Sequence, residues 1–282
     1  MIPVSRHWIE TRANLLYSSA GCKAPPVDLH ALARYRRVTR VGLRLMVHLG
    51  ALVPVQRGFE IFLQGTEEQE LDIQAPEPPG ELTARQRFTL AHEIAHTFFY
   101  EGMEKVPVPT FSVKTRQQYR ELEEICDHAA KRILVPTRLL LAQLQATPGV
   151  GGRIDVNFVR KVVSRFKVSY EVMLDRLRVA EPENLSATCI LLAREEEDGP
   201  PKVKGFYMGM DFLSVLPPIK RGTLVIKWFL GFPQGILERD GVRECSVLRE
   251  GHELLFRKTP LRKAGDFLLQ IDDLGRSAPH SK

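Results

Sequence analysis

Apolar and polar positions change period several times along the chain, and each change predicts an element. "ALVPVQRGFEIFLQG", residues 51–65, holds two β-rich runs around Gln56, Arg57 and Gly58, which reads as a hairpin. After the proline-rich "EPPGELTARQRF" the pattern turns helical. Thr83 followed by Gln86 fits a capping box, so a helix is expected to start at about Ala84, run to Tyr100 or Glu101 and stop at Gly102. Residues 116–135 place Leu122, Ile125, Ala129, Ala130 and Ile133 on one helical face, and Pro136 marks a turn or a new start. Further on, a helix over about 157–166, a turn at 167–169 and a second helix opened by Ser169 are predicted. Residues 188–194, 204–208, 223–230 and 253–257 then read as strands.

Breaks in the pattern divide the chain. "ATPGVGGRID", residues 146–155, is the clearest linker, and composition changes again after Val179 at "AEPENLS". The predicted domains are therefore 1–150, 151–183 and 184–282, an α+β arrangement without internal repeats. With 282 residues and 44% hydrophobic content, two or three domains can each bury a core.

Composition removes some classes of function. No apolar run is long enough to span a membrane, and "MIPVSRHWIETRANLL" has neither the apolar core nor the cleavage site of a signal peptide, so a cytoplasmic, membrane-free protein is expected. Cys22, Cys126, Cys189 and Cys245 form no C-x-x-C pair, which argues against a disulfide framework and against a cysteine zinc knuckle. A net charge of +6 is compatible with nucleic acid or an acidic partner without establishing either. Five arginines between Arg34 and Arg44 have no acid among them, whereas the segment from Glu67 to Glu77 is acidic. The basic run reads either as a helix with Leu32, Tyr35 and Leu43 on its apolar side or as the lead into a strand. A hydrated basic face is the simpler expectation than a binding surface.

The chemistry concentrates in "RFTLAHEIAHTFFY", residues 87–100. On a helix His92 and His96 lie one turn apart on one face and can turn their imidazoles to one ion, while Glu93, rotated by about 100°, can reach a water without being a ligand. A catalytic zinc needs a third protein ligand and an open position. The next helix offers Glu121, Glu123, Glu124, Asp127 and His128. Counting back seven from Ala130 places Glu123 on the apolar side with Asp127 between them on the same stripe, so both stay open on this ground. A pair of histidines at this spacing also occurs by chance. The capped apolar helix and the acid-rich helix after it favour metal. Zn²⁺ suits two imidazoles and a carboxylate, and Mn²⁺ is compatible with the same donors. Tyr100, Tyr119 and His128 are candidates for stabilising an oxyanion, and the sequence singles out none.

"RQRFTLAHEIAH" followed by "ELEEICDHAAKRILVP" resembles the ImmA/IrrE family of metallopeptidases, nearer to its radiation-response branch, over residues 81–136. The resemblance implies that His92, His96 and Glu123 are the metal ligands and Glu93 the general base. The family pattern E-x-x-[AC]-[ND]-x-x-A aligned on Cys126, Asp127 and Ala130 selects Glu123 over Glu124, with Asp127 where Asn is frequent and Val135 where Met is frequent. It implies a zincin-like catalytic domain, a helix-turn-helix over "VNFVRKVVSRFKVSYEVMLDRLRV" and a GAF-like sensor domain with room for a small-molecule ligand. The implied substrate is a helix-turn-helix repressor of the DdrO or ImmR type, cut so that stress or DNA-damage response genes are released. The competing reading is a DNA-binding transcriptional regulator using the peptidase fold as a non-catalytic scaffold. In the second of the paired helices Glu171, Val172 and Met173 come early and Arg176 and Arg178 late, which predicts weak, non-specific DNA contact.

Overall fold

The computed structural model describes residues 4–78, 80–146, 154–179, 188–196, 199–208, 237–239, 242–249, 252–261 and 266–276. Two compact units divide the chain: residues 1–139 with 165–169, and residues 140–164 with 170–282. The predicted strand over 223–230 and most of the linkers at 146–155 and 180–186 lie outside the described residues.

In the first unit, α1 (Arg6–Ser19) and α2 (Leu29–Tyr35) precede a four-stranded sheet of β1 (Val38–Arg44), β2 (Gly50–Val55), β3 (Gly58–Gln64) and β4 (Gln69–Leu71), in the order β2-β3-β1-β4. The expected hairpin is β2 and β3, antiparallel from Gly50↔Leu63 to Val55↔Gly58. β1 pairs parallel with β3 and antiparallel with β4. α3 (Ala84–His96) packs against β2 and β3 and against α4 (Arg116–Leu134), and α4 in turn meets α1. The Thr83 capping box is formed, with Gln86 reciprocating, and Thr115 and Gln118 repeat it at the start of α4. Leu90, Ala91, Ile94 and Ala95 on α3, with Cys126, Ala129, Ala130 and Ile133 on α4, are buried together with Phe59, Ile61 and Leu63 of β3.

α3 ends earlier than its apolar pattern predicts. The Thr97 hydroxyl donates to the Ile94 carbonyl at 2.6 Å, a local bond that competes with the helix ladder, and the chain passes through a 3₁₀ turn (Thr97–Phe99). Tyr100 and Glu101 then form β5, paired with β6 (Val108–Pro109), instead of a last helical turn.

The arginine run leads into a strand, the second of the two sequence readings, and it is paired rather than simply hydrated. α2 stops at Tyr35, Arg37 takes φ 57, and β1 follows. Arg34 donates to the carbonyls of Ile73 and Ala75, and Arg37 to the Met103 carbonyl. Arg40 and Arg44 converge on Glu70 of β4 and both lie over the Phe62 ring. The acidic segment thus supplies partners for the basic one. Buried Arg87 of α3 adds to this by pairing with Glu77 and donating to the Val27 carbonyl at 2.8 Å.

After α5 (Thr137–Gln145), the second unit contains a six-stranded antiparallel sheet in the order β8-β7-β12-β11-β10-β9. Its strands are β7 (Thr188–Glu196), β8 (Gly199–Met208), β9 (Leu237–Arg239), β10 (Val242–Arg249), β11 (His252–Pro260) and β12 (Asp266–Arg276). The strands expected at 188–194, 204–208 and 253–257 fall in β7, β8 and β11. The predicted helix pair is α6 (Val156–Phe166) and α7 (Tyr170–Val179), joined by a turn in which Lys167 has φ 53. Asp155 caps α6 through the Phe158 amide at 2.7 Å, and the Val156 amide donates to Gln270 of β12 at 3.0 Å. α7 packs on β8 and β7 and buries Val172, Met173, Leu174, Arg176 and Leu177. Arg176, one of the two late arginines from which weak DNA contact is expected, is instead 1% exposed. Its position on the buried side of the helix is the reason. Among the described residues no helix is long and apolar enough to cross a membrane.

Candidate metal centre

α3 is buried nearly all round, with Arg87, Thr89, Leu90, Ala91, Glu93, Ile94 and Ala95 all out of solvent. Beyond its first turn, Phe88, His92 and His96 form its partly open stripe, as their i, i+4, i+8 spacing requires. The facing stripe of α4 carries Glu123 and Asp127, one turn apart at the edge of the Cys126, Ala129 and Ala130 face. Helix packing therefore brings two imidazoles opposite two carboxylates.

One donor atom each from His92, His96 and Glu123 lies within 4.8 Å of the others. His92 Nε2 is 3.2 Å from Glu123 Oε2, His96 Nε2 is 3.4 Å from Glu123 Oε1, and the two Nε2 atoms are 3.0 Å apart. On the other side of its ring, His92 Nδ1 lies 2.9 Å from Asp127 Oδ1. A carboxylate only accepts, so Nδ1 donates and Nε2 is the nitrogen left to ligate. The geometry separates the two residues that helical counting left open: Glu123 meets both Nε2 atoms, and Asp127 orients His92 from behind. Glu124 is exposed and outside the cluster.

Electrostatics describe a place that favours positive charge. Burial works against a charged His92, but hydrogen bonds to Asp127 and Glu123 and the charges of Glu93 and Asp127 outweigh it and push its pKa up to about 9. The same hydrogen bonds from His92 and His96 hold the Glu123 carboxyl well below the usual range despite its partial burial. Two imidazoles and a hard carboxylate oxygen, gathered where a cation is welcome, fit a divalent metal and match the His₂Glu set of catalytic zinc sites.

Glu93 is 7% exposed, and burial raises its carboxyl pKa, with His96 and His92 opposing and Glu123 adding to the rise. β2 presses on it. A Cβ at Gly50 would stand 2.5 Å from Glu93 Oε1 and 2.5 Å from Thr89 Cγ2, so only glycine lets the strand approach this closely. The end of α3 is held by Arg36, which donates to Thr97 Oγ1 at 2.8 Å and to the Thr97 carbonyl at 2.6 Å, a cation at a helix C-terminus. Nothing in the periodicity singled out Asp127 as a histidine partner, Gly50 or Arg36; each depends on a contact between segments distant in sequence. Of the oxyanion candidates, Tyr119 is 55% exposed and has its pKa raised by the charge of Glu123, burial and a hydrogen bond to Glu123. Burial, then the charge of Glu93, raises Tyr100.

Comparison with known proteins fits this geometry. Residues 82–178 match the family model of the IrrE N-terminal-like domain, a peptidase family. The matched stretch runs from before α3 to the last turn of α7 and contains every residue of the cluster. No curated protein matches the chain. Among solved structures, a Mycobacterium tuberculosis transcriptional regulator superposes with a TM-score of 0.49 at 14% identity, covering 95% of this chain and 76% of that one. That likeness is too distant to bear on function.

Proposed function

We propose that the chain is a metal-dependent endopeptidase of narrow specificity, with zinc the ion its donors favour and Mn²⁺ compatible with them. The observation that carries this reading is the convergence of His92, His96 and Glu123 with a buried glutamate, Glu93, at the neighbouring position of the same helix. His92, His96 and Glu123 would hold the metal, with Asp127 fixing the His92 ring. Zn²⁺ bound there supplies Lewis-acid chemistry, making a water more acidic and a carbonyl more electrophilic. Glu93 accepts the proton of the attacking water and returns it to the leaving amine nitrogen. A buried carboxylate beside the cluster can do both halves of that task, taking up and then giving back one proton.

Resemblance in the two helical motifs supports a helix-turn-helix repressor as the substrate, cleaved so that stress or DNA-damage response genes are released. On this reading 1–150 is the catalytic domain, 151–183 a helix-turn-helix used for protein contact and 184–282 a GAF-like sensor. Burial of Val172, Met173 and Arg176 in α7 supports a packing role over base reading for that helix, which weighs against the scaffold-only transcription factor. The test is incubation of the purified chain with a helix-turn-helix repressor, with and without Zn²⁺ or Mn²⁺. Discrete fragments by mass spectrometry are expected only with metal. Cleavage that Glu93→Gln leaves at full rate would contradict the assignment.

A further inference from the structure

A cleft of about 470 Å³ has His96 in its wall. Phe99 at the end of the 3₁₀ turn, Pro109 and Phe111 from the segment after β5, Val113 and Leu122 of α4 give it apolar walls, and Phe99 and Phe111 meet edge to face at 5.6 Å. Its polar residues are His96, Tyr100 and Ser112; among the described residues no lysine, arginine, aspartate or glutamate lines it. The wall is partly open to water, Val113 being 38% exposed. A side chain entering here would therefore exchange water for aromatic and aliphatic surface, and a charged one would lose part of its hydration against mostly apolar walls.

We infer that this cleft is the specificity pocket of the proposed peptidase, receiving one large uncharged apolar or aromatic side chain of the substrate next to the scissile bond. The inference rests on the peptidase reading. His96 belongs both to the cleft and to the metal cluster, so a peptide whose carbonyl sits at the metal has the side chain adjoining that bond within reach of the cleft. The volume accommodates phenylalanine, leucine or methionine, and their burial discriminates against small and charged residues.

Two measurements on the full, zinc-loaded chain test it. In the first, N-acetyl-phenylalanine amide and N-acetyl-lysine amide are titrated while the methyl resonances of Val113 and Leu122 are followed. The phenylalanine probe is expected to shift both, the lysine probe neither, and Val113→Asp is expected to weaken the response by about tenfold or more. Equal response to both probes, or none to either, overturns the inference. In the second, a degenerate peptide pool is digested and the new termini are sequenced. A large apolar residue should be enriched at one fixed position beside the cut by about tenfold, less so in Val113→Asp, and the preference should move to bulkier side chains in Phe111→Ala. Cleavage without such a preference overturns the pocket and leaves the peptidase reading intact. No cleavage while the phenylalanine probe still binds overturns the peptidase reading and leaves only an apolar binding cleft.

Discussion

Asp127 Oδ1 lies 2.9 Å from His92 Nδ1, while Glu123, one turn earlier on α4, faces the opposite nitrogen of the same ring at 3.2 Å. On the proposed reading, one helix thus supplies both a ligand and the group that sets the tautomer and angle of another ligand. Removing such an outer partner typically costs about 10–100-fold in metal affinity. Asp127→Ala is expected to weaken zinc binding by about that factor with His92, His96 and Glu123 all present, as read by competition with a chromophoric chelator. Unchanged affinity would reduce the contact to a surface ion pair.

Glu123→Ala is expected to be more severe. Two imidazoles hold zinc poorly, so stoichiometric metal should be lost on dialysis. Full zinc content by elemental analysis in this variant would move the third ligand elsewhere on α4.

Gly50 tests how closely β2 governs the base. In Gly50→Ala the new methyl collides with the Glu93 carboxylate and with Thr89, so one of them must move. Metal content should stay near wild type while peptide cleavage falls by about tenfold or more, because displacing a reacting group by an ångström is costly. Full activity in this variant would show that Glu93 has freedom to spare.

The first capping box, the hairpin and the histidine stripe are legible in the sequence because each is a local pattern: Thr83 with Gln86, the turn at Gln56–Arg57, and the four-residue step from His92 to His96. What was not legible depends on partners far along the chain. β1 pairs in parallel with β3 across the intervening hairpin strand, and β4 lies in a proline-rich acidic stretch that carries no strand signal of its own. α3 continues its apolar pattern through Phe98 and Phe99, yet Thr97 and Arg36 end it at His96. Helical counting reached the α4 stripe but not the division of labour along it, which is set by the distance between two packed helices. Arg176 looked available for phosphate only because periodicity does not say which side of α7 the second unit's sheet covers.

Arg36 should matter to the fold more than a surface arginine. Its loss leaves the Thr97 carbonyl and hydroxyl without their charged donor, and charge-assisted bonds of this kind contribute about 2 kcal/mol together. Arg36→Ala is expected to lower the urea midpoint accordingly, and a midpoint within error of wild type would show that water replaces the guanidinium at no cost.

Acid stability should carry the signature of Glu70. Hydrogen bonds from Arg40 and then Arg44 lower its pKa from 4.5 to about 2. A depressed folded-state pKa stabilises above the unfolded value and is lost as pH falls, here between about 4.5 and about 2. Both partners are largely solvated, so the effect is modest. Denaturation midpoints of wild type and Glu70→Gln should differ at pH 7 and converge toward pH 2. A gap that persists at the acid end would assign the difference to packing instead of charge.

The central claim is hydrolysis of a peptide bond at the cluster on α3 and α4, with Glu93 as base. Digestion of a helix-turn-helix repressor in H₂¹⁸O by the zinc-loaded chain measures it most directly, since hydrolysis writes one heavy oxygen into each new carboxyl terminus. The account predicts ¹⁸O-labelled termini for the wild type and a loss of about two orders of magnitude or more in Glu93→Gln at unchanged zinc content. Labelled termini formed equally fast by Glu93→Gln, or none formed by the zinc-loaded wild type, would contradict it.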